Sequence, residues 1–326
     1  MKLNEIREFL GEDLKTVENR IAAALKSDIG LLDRTNAAIL SNSGKLIRPI
    51  VSLLIARACS GGRPAEASYM YAAASELLHN ATLLHDDVAD NSGQRRGRPT
   101  VMSLLGPTAS VLLGDFWLVK AMESILSAGE DSSVIRIFSA TLSDLAEGEM
   151  LQLEKAETGN TSEEDYYRIV YSKTASLFKA SAVSAAISVG ASERQIAAAG
   201  IYAENLGMAF QIRDDIFDYS ASADVGKPVG VDILEGKITL PLLGALASVP
   251  EEKAREIRRQ VCGIAGHPEY RDGIIAFVRE NGGIAYAQEK LAVFTGKAQE
   301  SLSAMAGSQD REWLERLALF VGRRNY

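Results

Sequence analysis

The chain has 326 residues, 47% of them hydrophobic, and no Pro/Ser-rich or low-complexity linker, so one large core and a single domain over 1–326 are expected. A net charge of −8 argues against non-specific nucleic-acid binding and against a generally basic membrane-binding face. Two isolated cysteines, Cys59 and Cys262, and only three histidines leave no disulfide framework and no rich zinc site, and suggest buried thiols in a reducing cytosol.

Helical periodicity of apolar residues starts at the N-terminus and predicts a helix over 3–27. The segment Met1–Lys26 is charged and amphipathic, without the basic start and apolar run of a signal peptide. Helices follow over 32–41 and 47–59, with Gly44-Lys45-Leu46-Ile47-Arg48-Pro49 as a turn carrying two cations between them. The next helix, 65–89, runs into Leu84-His85-Asp86-Asp87-Val88-Ala89-Asp90 and is followed by Arg95-Arg96-Gly97-Arg98-Pro99-Thr100. The helix over 100–127 contains the apolar run Ala109–Met122, but Asp115 and Lys120 interrupt it, and no segment approaches the roughly 18 uncharged apolar residues of a membrane span. Helices are then expected over 132–156, over 162–189 with Lys173-Thr174 among small residues, and over 193–220. The last of these ends in Ile212-Arg213-Asp214-Asp215-Ile216-Phe217-Asp218. Gly226-Lys227-Pro228 and Glu235-Gly236-Lys237 precede a helix over 236–246, and further helices are read over 250–263, 267–279, 282–304 and 309–323. Val and Ile are scattered rather than alternating, so no sheet is expected and the fold class is all-α.

Two matched Asp-Asp-x-x-Asp motifs carry the chemistry. Spacing i to i+4 puts Asp86 and Asp90 on one helix face, and likewise Asp214 and Asp218. Like charges at that spacing repel unless cations neutralise them. Carboxylate oxygens suit hard divalent ions, and Mg²⁺ fills the rest of its octahedron with water and phosphate oxygens. One such triplet alone reads as a solvated helix end, and each basic element alone reads as an exposed loop charge. Their repeated pairing points to a diphosphate, with metal on shared oxygens and Lys and Arg on the rest.

These residues resemble the trans-isoprenyl diphosphate synthases. Leu83-Leu84-His85-Asp86-Asp87-Val88-Ala89-Asp90 with the following Arg pair is similar to that family's first aspartate-rich motif, and Phe210-Gln211-Ile212-Arg213-Asp214-Asp215-Ile216-Phe217-Asp218-Tyr219 to its second. The resemblance extends over roughly 40–245 and includes Gly44-Lys45, Arg48-Pro49, His79, Lys173-Thr174, Gly226-Lys227 and Gly236-Lys237-Ile238-Thr239-Leu240-Pro241. It implies a single all-α bundle around a central cavity, a homodimer, a cytoplasmic location, and about three Mg²⁺ per active site. By the resemblance, Asp86, Asp87 and Asp90 hold Mg²⁺ on the allylic diphosphate from one side, and Asp214 and Asp218 from the other, with Asp215 completing the second motif. Arg95, Lys173 and Lys237 contact the allylic diphosphate and Lys227 supports it. Lys45, Arg48, His79 and Arg96 form the isopentenyl diphosphate pocket, and Thr174 and Gln211 lie near the reacting carbons. From the residues alone His79 reads as a core histidine, and the resemblance reverses that; His85 is read as standing behind the aspartates. Gln94 and Ala89 depart from common family residues without touching a ligand position.

The implied reaction is Mg²⁺-dependent head-to-tail condensation of an allylic diphosphate with successive isopentenyl diphosphates. Product length is expected to follow from the helix face upstream of Asp86, where Thr82, Ala81, Leu78, Ser75 and Ala74 include no aromatic residue. No insertion widens the first motif. Both features favour a long all-trans product over a farnesyl- or geranylgeranyl-sized one, with Tyr71 a deep obstacle of unassigned facing. A class I terpene cyclase would normally lack the second Asp-Asp-x-x-Asp and the isopentenyl diphosphate pocket, and a non-catalytic subunit would have lost aspartates.

Overall fold

The helical periodicity is realised in the computed structural model, which describes residues 3–41, 44–95, 97–129, 132–219 and 229–323. Arg96 and Lys227, both expected at the site, lie outside the described residues. The chain divides into two units. The first comprises Met1–Phe138, Ala180–Gly200 and Ala304–Leu314; the second comprises Ser139–Lys179, Ile201–Ser303 and Glu315–Tyr326.

In the first unit the expected helix 3–27 is two helices, α1 (Leu3–Leu10) and α2 (Glu12–Ala24). Gly11 separates them at φ 46°, ψ −116°, a conformation that only glycine adopts without strain. After α3 (Gly30–Leu40) comes α4 (Ile47–Ser60), buried on nearly every side, with Ile50, Val51, Leu53, Leu54 and Ile55 fully inaccessible. A helix apolar all round belongs in a core. Against it packs α5 (Glu66–Ala89), which also meets α2 and a later helix over Pro107–Ser127. The expected helix 100–127 breaks into α6 (Val101–Leu105) and α7 (Pro107–Ser127) at Gly106, φ 86°, because Pro107 lacks an N–H and starts the new helix. Trp117 on α7 donates Nε1–H to Asn36 Oδ1 at 2.9 Å, and Asn36 donates to the Leu25 carbonyl at 2.7 Å, so two buried polar groups satisfy each other. Arg57 on α4 ties the unit together by donating to Asp13 at 2.5 Å and Asp310 at 2.6 Å.

A two-residue antiparallel ladder was not expected. β1 (Gln94–Arg95) pairs with β2 (Arg98–Pro99), turning through Gly97 at φ 74°. Four residues are too few to show alternation.

Four of the described α-helices contribute residues to both units: α8 (Ser132–Thr158), α10 (Ser176–Ser188), α11 (Glu193–Asp218) and the last helix, Gln309–Arg323. The expected helix 162–189 begins as α9 (Glu163–Val170), capped by Ser162, whose hydroxyl accepts the Asp165 N–H at 3.1 Å. It then widens into a π-helical turn over Tyr171–Ala175 before α10. In the second unit the core is built on Phe178, Tyr202, Leu206, Ile212 and Tyr219, all nearly inaccessible. A short α12 (Val231–Leu234) precedes α13 (Leu240–Ala247), around which α14 (Glu251–Cys262), α15 (Tyr270–Glu280) and α16 (Gly283–Ser301) pack; α17 (Gln309–Arg323) closes the chain. Cys59 is half-buried and Cys262 exposed, so the expectation of two buried thiols fails at Cys262, which lies on the outer side of α14's end beside the Gly159 turn. No described helix is long and apolar enough to cross a membrane.

Candidate active site

In the first unit the first aspartate motif is the C-terminal turn of α5. Asp86 is half-buried, Asp87 is buried, and Asp90 is exposed at the C-cap, its N–H donating to the Asp86 carbonyl at 2.8 Å. Asp87 therefore points away from the face that Asp86 and Asp90 share. Arg95 of β1 donates Nε–H to Asp87 Oδ1 at 2.7 Å. Burial pushes the Asp87 carboxyl above its usual range, and Arg95 pulls against that. The hairpin thus holds Arg95 against the motif, with the side chain still 37% exposed. His85 sits behind the aspartates, its Nε2 3.2 Å from Asp115 Oδ1 and its ring lying where a Cβ at Gly114 would be.

Of the residues expected to hold isopentenyl diphosphate, Lys45 is exposed, Arg48 buried and His79 half-buried. Burial lowers the Arg48 guanidinium to about 10, with Glu76 pulling it back up. Between the two cations Leu46 takes φ 53°, ψ 36°, rare for leucine and held because its side chain is buried. Left-handed backbone at a non-glycine costs of order 1 kcal/mol, and such residues gather at functional sites. A cavity of about 320 Å³ opens beside Leu46, Glu76, Asn80 and Trp117, but Lys45, Arg48 and His79 do not line it.

Ala81 and Leu78, expected to set chain length, are buried and Thr82 is half-buried. Tyr71, whose facing the sequence left open, is buried with its ring centroid 6.4 Å from that of Phe138. At 100° per residue Tyr71 shares the α5 face of Ser75, Leu78 and Thr82.

The second unit gathers the other motif. Thr174, Gln211, Asp215, Lys173 and Lys237 line one cavity of about 160 Å³, together with Tyr166, Lys155 and Asp232. Again the middle aspartate is the buried one. Asp215 accepts Tyr166 Oη–H at 2.6 Å and Gln211 Nε2–H at 2.8 Å, and Thr174 Oγ1–H donates to Gln211 Oε1 at 3.0 Å. Burial pushes the Asp215 carboxyl up to about 7, opposed by those donors and reinforced by Asp214 and Asp218. Asp232 is raised well above its usual value by burial and by repulsion from Asp215 and Asp218. Asp214 is half-buried. Asp218 accepts the Val231 and Asp232 backbone N–H groups at 2.9 and 3.1 Å, capping α12 and fixing the chain that leads to Lys237. Burial nevertheless raises its carboxyl.

Lys173 and Thr174 are presented by the π-helical turn, a feature frequent at functional sites. Two glycines admit it. A Cβ on Gly148 of α8 would stand 2.5 Å from the Ser172 Cβ, and one on Gly207 of α11 would stand 2.6 Å from the Ala175 Cα. Lys173 pairs with Glu149, and Lys237 with Glu235.

Among the described residues no three His, Cys, Asp or Glu side chains converge as a ready-made metal cage. The donors at both motifs are carboxylate oxygens, which fit a hard cation completed by diphosphate oxygens and water. The sequence reading missed Tyr166, Glu149 and Asp232. Asp232 lies between Lys227 and Lys237, two of the expected site residues, whereas nothing near Tyr166 marks it, since its partner is 49 positions away.

A family model described as polyprenyl synthetase matches residues 30–264. An octaprenyl diphosphate synthase from Haemophilus influenzae is 37% identical over 327 residues, covering 100% of this chain and 98% of that protein. The crystal structure of a decaprenyl diphosphate synthase from Rhodobacter capsulatus superimposes with a TM-score of 0.92 at 33% identity, covering 100% of both chains. A geranylgeranyl pyrophosphate synthetase from Pyrococcus horikoshii gives 0.88 at 30% identity, again over 100% of both chains. The backbone is thus shared between proteins named for different product lengths.

Proposed function

The chain belongs to the polyprenyl synthetase family and extends an allylic diphosphate with isopentenyl diphosphate, head to tail, into a long all-trans-polyprenyl diphosphate, and from that premise we propose which residues do the work. The observation that carries the assignment is the cavity where Lys173, Lys237, Thr174, Gln211 and Asp215 meet.

Family members use Mg²⁺ to bind diphosphate. Here Asp86 and Asp90 would hold it at the first motif from the face they share, with Asp87 joining them by exchanging Arg95 for the metal, and Asp214 and Asp218 would hold it at the second, about three ions in all. When bound, the metal neutralises the diphosphate and lowers the barrier to C–O cleavage. Arg95, Lys173 and Lys237 take the remaining diphosphate oxygens, Lys173 and Lys237 exchanging Glu149 and Glu235 for substrate, and Lys227 supports them. Lys45, Arg48, His79 and Arg96 hold isopentenyl diphosphate. As the allylic C–O bond breaks, its electron pair leaves with the diphosphate. The isopentenyl double bond then forms the new C–C bond, and the released diphosphate takes the proton lost from the adjacent carbon. Ile169, Val170 and Ile238 form the apolar part of the cavity wall that would keep water from the allylic cation. The two units act as one catalytic domain in a cytoplasmic homodimer.

Product length follows the α5 face above Asp86. Ala81, Leu78 and Thr82 put no aromatic ring in the path assigned to the tail, and Tyr71 with Phe138 lies deeper on the Tyr71 face, about 22 Å from Asp86 along the helix axis. The test is incubation with farnesyl and isopentenyl diphosphates and Mg²⁺. All-trans products of about C30 to C50 are expected, since each condensation adds one five-carbon unit until the tail meets an obstacle. A cyclised hydrocarbon, or no elongation, overturns the reaction assignment; a product stopping at farnesyl or geranylgeranyl length overturns the tunnel assignment. Ala81→Phe should shorten the product, because the ring enters only roughly 7.5 Å above Asp86. A stably folded variant that still makes the full product removes Ala81 from the tunnel wall.

A further inference from the structure

Tyr166 belongs to neither aspartate motif, yet it is 4% exposed and commits its only proton to one of their carboxylates. Burial and the neighbouring Asp215 push the phenol well above its ordinary range, so it stays a donor. An ionised carboxylate only accepts hydrogen bonds. With Oδ2 taken by Tyr166, Asp215 Oδ1 faces the Gln211 amide at 2.8 Å, and the amide must present its NH₂ there. Gln211 Oε1 consequently faces Thr174, 3.0 Å away. An amide oxygen cannot donate, so the Thr174 hydroxyl does. Its single proton is used, and what it has left for an occupant of the cavity is oxygen lone pairs.

The polarity of this chain of bonds is thus set from its buried end. We propose that Tyr166 is a positioning residue for prenyl transfer: by pinning Asp215 it fixes the sense of hydrogen bonding through Gln211, so that Thr174 offers lone pairs, and no proton, to an allylic carbon becoming positive. The proposal rests on the reaction assigned above. Without the phenol, Asp215 can rotate, Gln211 can turn over, and Thr174 can spend its proton elsewhere. A hydroxyl proton aimed at a developing cation would oppose ionisation.

Tyr166→Phe keeps the ring and removes only the donor. Assayed at pH 8 with farnesyl and isopentenyl diphosphates, the variant should lose roughly tenfold or more in kcat, the size of one hydrogen bond to a charged group. Both KM values should stay within about twofold, because Tyr166 grips neither diphosphate. Thr174→Val should lose turnover as well, and the double variant should be no slower than Thr174→Val alone, since the effect of Tyr166 runs through Thr174. Gln211→Met cuts the same chain at its middle and should also be non-additive with Tyr166→Phe. If Tyr166→Phe melts early, Gln211→Met and Thr174→Val serve without it: each should lose kcat, and their losses should be non-additive because they cut one chain of bonds. Wild-type kcat in Tyr166→Phe, a loss appearing only in KM, or additive losses with Thr174→Val would each overturn the relay while leaving the reaction in place. A wild-type protein that does not elongate at all would instead remove the reaction assignment itself.

Discussion

The two aspartate motifs share a sequence pattern but differ in how the protein holds them. In both, the middle aspartate turns inward and is bound by side chains of its own unit. Asp87 meets a cation, Arg95, delivered by an exposed hairpin and itself 37% exposed. Asp215 meets two neutral donors, Tyr166 and Gln211, and is only 3% exposed. The outer aspartates differ too: Asp90 is an exposed helix cap, whereas Asp218 holds the backbone of the segment that leads to Lys237. A repeated motif is therefore not a repeated environment. The first copy is tied by a charge pair that solvent can screen, and the second by a buried set of directional bonds that salt barely reaches.

The largest effect should be common to both copies. Asp86→Ala and Asp214→Ala should each lower turnover by on the order of 10³-fold at limiting Mg²⁺, the scale for losing one electrostatic group at a developing charge. Melting temperature should hardly fall, because each variant also relieves like-charge repulsion. Near-normal turnover in either variant would break the symmetry between the motifs that the shared pattern asserts.

The second effect belongs to the buried carboxyls of the second motif, with Asp215 at their centre beside Asp232 and Asp218. The folded value of Asp215, about 7, lies above the ordinary 3.8. The folded protein therefore holds that proton more tightly than the unfolded chain, and stability is highest below pH 4 and is lost as pH rises to 7. Holding the proton from the ordinary 3.8 up to about 7 corresponds to roughly 4 kcal/mol at most. Melting in EDTA from pH 4 to 8 should show wild type losing stability across this window and Asp215→Asn following a flatter curve. Parallel curves would mean that burial does not load Asp215 as described.

Next in size is Gly148→Ala. The new methyl would overlap Ser172 and push the π-helical turn that carries Lys173. Overpacking of this kind costs about 1–3 kcal/mol. Allylic KM should rise by more than the loss of stability explains, whereas the close glycine at the first motif, Gly114, makes room for His85 and not for a cation. A variant of unchanged KM would show that Lys173 reaches its place without that close approach.

Much of this was legible in the sequence, for reasons that also mark where legibility stops. Asp86 and Asp90, and Asp214 and Asp218, are local patterns at i, i+4, and α17 starts and stops where periodicity says. The breaks at Gly11 and Gly106 were missed because apolar periodicity runs on across them, and positive φ at one glycine leaves no trace in a pattern of side chains. The π-helical turn was missed because a one-residue widening only shifts the phase of a helix that continues. At the site, spacing showed which aspartates share a face but not which one turns inward or what receives it. Arg95 was within reach of that reasoning, eight residues from Asp87. Tyr166 was not, because its bond to Asp215 exists only once α9 and α11 have packed.

The smallest effect sharpens the contrast from the other side. Arg95→Gln removes the cation that holds Asp87 but leaves a side chain of similar length. Because Arg95 is more than one third exposed, the pair should contribute no more than about 1 kcal/mol to stability, well below the buried Asp215 figure. The pH dependence gives the sign. Burial already raises Asp87 above its usual range, and losing Arg95 raises it further. The variant's deficit should therefore be largest near pH 7 and should vanish as pH falls through the carboxylate range, where Asp87 is protonated with or without Arg95. Salt should shrink the same deficit, since a half-exposed pair is screened. Melting curves at 0.05 and 1 M NaCl, in EDTA, should bring the two proteins together at high salt. A deficit that survives both acid and salt would place the Arg95–Asp87 contact in the same class as the Tyr166–Asp215 bond, and the distinction between the two motifs would fall.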